Sequence, residues 1–169
     1  SNVCEPKYRT GFDRNLWLWE EFDPTCNYLM VADVARGDGA DFSTFHIIKL
    51  ETLEIIGEYQ GKPTLDMFAN ILNQTGREFG SAMLVVENNN VGYSVLDKLL
   101  EAGYPNLYHS IKSTHEYIEQ HQAEFRSTAV PGFSTTMKTR PLIVAKLEEF
   151  IRNKLIKVYS SRTINEMKT

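Results

Sequence analysis

The chain has 169 residues, 42% of them apolar and 24% charged, which suits one globular domain with its own core. No apolar run reaches the roughly 18–20 residues of a membrane span, and the N-terminus lacks the basic-then-apolar pattern of a secretory leader. The net charge of −4 argues against a nucleic-acid partner only when taken whole: residues 126–169 hold nine Lys/Arg against three Asp/Glu, and the rest of the chain nine against nineteen. Such asymmetry sets an acidic site beside a basic contact surface. The two cysteines, Cys4 and Cys26, form no ligand cluster and fit a reduced setting.

Residues 1–26 read as an irregular lead-in, and residues 27–169 as the domain proper. A core strand is expected at about 27–35 and breaks at Arg36-Gly37-Asp38-Gly39, strong turn chemistry. Strands at about 43–50 and 54–60 follow, joined by a hairpin-length link. Pro63-Thr64 opens a helix whose inner face carries Leu65, Phe68, Ile71, Leu72 and Phe79, and Gly80 closes it. Ala82 to Glu87 is nearly all apolar, as a strand buried on both faces would be. A second helix at about 91–102 points Val95, Leu96 and Leu99 inward. A fifth strand falls near 106–111, and residues 112–137 read as a long loop or hairpin. A third helix starts near Pro141 and a last strand lies at about 155–160. The order predicts an α/β domain with a mixed central sheet, three antiparallel strands followed by alternating helices and strands, as in ribonuclease H-like folds.

Two acids stand out against this frame. Asp33 interrupts the apolar first strand and Glu87 ends the apolar fourth. A carboxylate there is costly to bury unless something cationic neutralises it. In this strand order the two strands are neighbours, so both acids reach one sheet edge. Converging carboxylates form a hard oxygen site suited to Mg²⁺ or Mn²⁺, and a two-metal site can cut a phosphodiester. The plainer alternative for each is a strand-end acid that caps the next turn. Asp41 opens the second strand and points back toward the pair; Asp38 reads better as a turn residue. Residues 132–141, Gly-Phe-Ser-Thr-Thr-Met-Lys-Thr-Arg-Pro, bring small hydroxyls, Lys138, Arg140 and a helix start together, which suits phosphate. Arg36 and Lys112 are further candidates for DNA contact. His46 reads as structural. His115-Glu116 lacks the second histidine of a zinc-protease helix, and no nucleotide-binding P-loop occurs.

Three pieces in this order resemble the C-terminal nuclease domain of the large terminase subunit of tailed bacteriophages. They are Val31 to Ser43 with Asp33 and Asp41, Leu84 to Gly92 with Glu87 and its asparagines, and Gly132 to Pro141. The resemblance implies a ribonuclease H-like, Mg²⁺- or Mn²⁺-dependent endonuclease that cuts concatemeric double-stranded DNA into genome lengths. Asp33 and Glu87 match metal ligands of that family, and Asp41 a further acid of its first motif. The resemblance further implies an N-terminal ATPase motor domain in the same polypeptide, a portal and small terminase subunit as partners, and work in the cytoplasm of an infected bacterium, transiently at the procapsid. The family's third acid, an aspartate at a helix after the last strand, has no counterpart before Thr169, since Glu166 comes too early and is the wrong residue type. The expectation is therefore a C-terminally truncated domain of reduced activity. A non-catalytic docking module and a junction resolvase or transposase are the rival readings.

Overall fold

The computed structural model describes residues 4–11, 13–36, 39–88, 91–111, 117–118 and 129–132. Among the described residues nine strands and two helices follow one another as β1 (Tyr8–Thr10), β2 (Leu16–Leu18), β3 (Tyr28–Asp33), β4 (Ser43–Lys49), β5 (Glu54–Gly61), α1 (Leu65–Glu78), β6 (Met83–Val86), α2 (Gly92–Glu101), β7 (His109–Ile111), β8 (Tyr117–Ile118) and β9 (Ala129–Pro131). The first six strands form one sheet in the order β1-β2-β5-β4-β3-β6. All of its pairings are antiparallel except β3 with β6, which run parallel. That exception follows from the connection: α1 carries the chain from β5 across the sheet, as a parallel pairing requires.

Side-chain alternation divides this sheet into two faces. Met30, Ala32, Phe45, Ile47, Leu84 and Val86 pack with Phe68 and Leu72 of α1 and Val95, Leu96 and Leu99 of α2. Each of these large side chains contributes about 1.5–3 kcal/mol on full burial. Leu29, Met83 and Val85 point the other way and pack with Leu50, Tyr108, Val31 and Ile48. Strands that are apolar on both faces, such as β6 with all four residues buried, are the result.

Local chemistry sets the helix ends. The Thr64 hydroxyl accepts from the Met67 amide at 3.3 Å, capping α1. Gly80 follows the α1 C-cap at φ +69°, a conformation side chains resist. Arg77 reaches across to the Ala102 and Gly103 carbonyls at 3.1 and 3.3 Å, holding the end of α2.

Two expectations change. The lead-in is not irregular: β1 and β2 extend the main sheet beyond β5, so position 26 does not mark the sheet's edge. The segment at 106–111 is not a single strand of the main sheet. Leu107 bridges Leu84 in parallel, then His109–Ile111 turns away into a three-stranded sheet ordered β8-β7-β9. The helix expected at Pro141 and the strand at 155–160 lie outside the described residues.

Candidate functional site

β3 and β6 are in register from Leu29–Met83 to Ala32–Val86. One step further along the same register, Asp33 stands beside Glu87. The Glu87 amide donates to the Ala32 carbonyl at 3.1 Å, so the pairing continues to that point. Residues opposite one another on parallel strands face the same way, about 4.8 Å apart. Both acids lie on the face opposite α1 and α2, by the alternation of Leu29, Val31 and Asp33 on one strand and Met83, Val85 and Glu87 on the other. Asp33 is exposed and Glu87 half-buried. The sheet thus delivers two carboxylates to the carboxyl ends of neighbouring parallel strands, where α/β sheets commonly place their ligands.

Close backbone packing and hydrogen bonds fix that edge. Gly92 begins α2 directly against Glu87, and a Cβ there would collide with the Glu87 carbonyl oxygen. Gly132, at φ +77°, closes against the Val86 carbonyl in the same way. Its amide donates to the Tyr108 carbonyl at 2.8 Å, and its own carbonyl accepts from the Ser110 hydroxyl at 2.9 Å. Buried Asn88 donates from its side-chain amide to the Pro131 carbonyl at 3.0 Å. Gly132, the first residue of the stretch expected to grip phosphate, is therefore seated against Val86 and Asn88, the two neighbours of Glu87. On the β3 side the buried Ser43 hydroxyl accepts from the Ala35 amide at 2.9 Å and donates to the Ala35 carbonyl at 3.3 Å. This pins the two ends of the turn that follows Asp33.

Of the other expected residues, Asp41 and Arg36 are exposed in the β3–β4 connection. Asp41 lies two residues before β4, not at its first position. Asp38, Lys112, Lys138 and Arg140 lie outside the described residues. Among the described residues no group of three or more His, Cys, Asp or Glu side chains is placed to hold a metal. His46 sits on β4 with Nε2 at 3.6 Å from the Glu58 carboxylate of β5. His109 is buried, its Nδ1 at 2.9 Å from the Leu107 carbonyl, and burial holds its pKa below the ordinary histidine value. Sequence reasoning missed Ser43, Asn88 and Gly92 as supports. It also missed a cavity of about 190 Å³ lined by Asn15, Trp17, Phe42, Glu58 and Gln60.

Neither the protein-family models nor the curated proteins give a match. Solved structures do. The large terminase nuclease from thermophilic phage G20c with bound magnesium superposes with a TM-score of 0.52 at 22% identity, over 60% of this chain and 52% of that one. The same nuclease with bound cobalt gives 0.56 at 16% identity, over 92% of this chain and 64% of that one. The nuclease domain of the Thermus phage P74-26 large terminase gives 0.50 at 20% identity, over 60% and 50%. The matched region spans between half and just under two thirds of these nuclease chains. The mixed α/β fold read from the sequence is thus the fold that these terminase nuclease structures share.

Proposed function

We propose that this chain is a metal-dependent endonuclease domain of a phage DNA-packaging terminase, acting on double-stranded DNA. The observation that carries the reading is the placement of Asp33 and Glu87 side by side at the carboxyl edge of the parallel pair β3–β6. The donor set fits the group it would hold: Mg²⁺ and Mn²⁺ prefer oxygen, and Mg²⁺ commonly takes only one or two carboxylates and keeps several waters. Asp33 and Glu87 would hold the ion, with Asp41 assisting from the adjoining turn. When bound, such ions supply Lewis-acid stabilisation of the phosphoryl group and of the leaving 3′ oxygen. The protein's own part is positioning. Gly92 abuts the Glu87 carbonyl and Gly132 the Val86 carbonyl before it, Ser43 holds the turn beyond Asp33, and Arg36, Lys112, Lys138 and Arg140 grip the DNA backbone. Within this reading an ATPase motor domain, a portal and a small terminase subunit are the partners, and the cytoplasm of an infected bacterium is the setting. No helix among the described residues is long and apolar enough to cross a membrane.

The test pairs plasmid nicking in Mg²⁺ and Mn²⁺ with calorimetric titration of Mn²⁺. Asp33→Asn and Glu87→Gln each remove several kcal/mol of charge stabilisation, so nicking falls on the order of 10³-fold. Mn²⁺ binding weakens in the same variants while the fold, read by circular dichroism, stays. Mn²⁺ binding and nicking that match wild type in both variants would sink the assignment.

A further inference from the structure

The cavity lined by Asn15, Trp17, Phe42, Glu58 and Gln60 has no part in holding a metal. Its place in the sheet is nonetheless set by the same register. Gln60 pairs with Thr44, and Thr44 pairs with Asp33. One polar row thus runs from β5 to the carboxylates, on the face opposite the two helices. Strand spacing puts Gln60 about 10 Å from Asp33, roughly three stacked base steps of 3.4 Å.

The lining is selective in its chemistry. Trp17 is 38% exposed and Phe42 46% exposed, large aromatics that β2 and the β3–β4 connection leave in solvent. Each carries a cation over its ring: Arg9 at 4.7 Å from the Trp17 centroid and Lys62 at 4.9 Å from that of Phe42. Among the described residues, the lining between the aromatics is two side-chain amides and the Glu58 carboxylate, one oxygen of which lies 3.6 Å from His46 Nε2. A carboxylate repels phosphate but accepts from an exocyclic amino group. The cations lie over the aromatic rings, Arg9 also pairing with the Glu5 carboxylate at 3.1 Å. A volume of about 190 Å³ is below the roughly 300–1,000 Å³ of drug-sized pockets and suits one planar heterocycle.

We infer that this cavity takes a single unpaired base of the DNA strand being cut, stacked against Trp17 and Phe42 and read at its amino edge by Glu58, with Arg9 and Lys62 on the flanking phosphates. This rests on the nuclease reading and adds a single-strand subsite to it. A frayed or unwound end is then held while the carboxylates act on a bond a few nucleotides away. Amino-bearing bases are favoured over thymine because only they donate from an exocyclic nitrogen to Glu58.

The experiment measures anisotropy of labelled short oligodeoxycytidylate and oligothymidylate with the whole chain in EDTA, for wild type, Trp17→Ala, Phe42→Ala and Glu58→Gln. Stacking is worth enough per base that losing either aromatic weakens binding about 5- to 150-fold. Cytidylate binds about two- to tenfold more tightly than thymidylate, and Glu58→Gln narrows that gap. Phe42 lies outside the strands, so its variant keeps the test open if Trp17→Ala fails to fold. Wild-type affinity in a folded Phe42→Ala protein overturns the proposal, as does thymidylate binding as tightly as cytidylate. Plasmid nicking separates the two readings. Absent nicking with aromatic-dependent binding removes the nuclease and supports the base site. Metal-dependent nicking with no aromatic dependence removes the base site alone.

Discussion

A single hydroxyl does much of the local work beside Asp33. Ser43 Oγ both accepts from and donates to the Ala35 backbone, with Ser43 itself 1% exposed. Ser43→Ala leaves the Ala35 amide and carbonyl short of a partner and costs about 1–3 kcal/mol. Urea unfolding reads that loss, and Mn²⁺ affinity drops with it because the turn beyond Asp33 loosens. That Asp33 and Glu87 end neighbouring strands was legible in the sequence, because an acid at the end of an apolar strand needs a reason. Ser43 was not, since a serine opening a strand is ordinary until its burial is known. His46 and Glu58 were invisible as a pair for a related reason: they meet only through the β4–β5 register.

Elements were legible where a period runs long enough. β3 to β6 and both helices fall where apolar spacing puts them, because each buries a defined stripe. β1 and β2 were not, being three residues each, with every residue of β1 exposed and only Leu16 of β2 buried. The segment at 106–111 misled because one short stretch serves two sheets, Leu107 in one and His109–Ile111 in the other. At this scale the junction of β6 with α2 makes the sharpest prediction. Alanine is the better helix former, yet Gly92→Ala presses a methyl into the Glu87 carbonyl. The net cost is about 1–3 kcal/mol of stability in thermal or urea unfolding. Glu87 shifts with the helix start, so Mn²⁺ binding weakens too. A stabilised Gly92→Ala protein with unchanged Mn²⁺ affinity would contradict the packing described.

For the whole molecule, charge distribution is the property that composition showed and net charge concealed. Residues 126–169 hold half of the Lys/Arg and few of the acids. If Arg36, Lys112, Lys138 and Arg140 each neutralise one phosphate, the logarithm of DNA affinity falls against that of salt with a slope of about −3 to −4. Arg36→Ala shallows it by about one. A flat response in the wild-type chain would remove phosphate gripping from the account.

The parallel pair at the end of the main sheet also fixes when the two acids can meet. β4 and β5 close through a tight turn at Leu50 to Leu53, a local event. Ala32 and Val86 are partners across an intervening hairpin and helix, so their meeting waits on the closure of a long loop and carries its entropy. Asp33 and Glu87 therefore come together only once the sheet has been completed through β6. A partly folded chain holds its two acids far apart, and under the proposed function any capacity to gather metal would arrive only with the native topology.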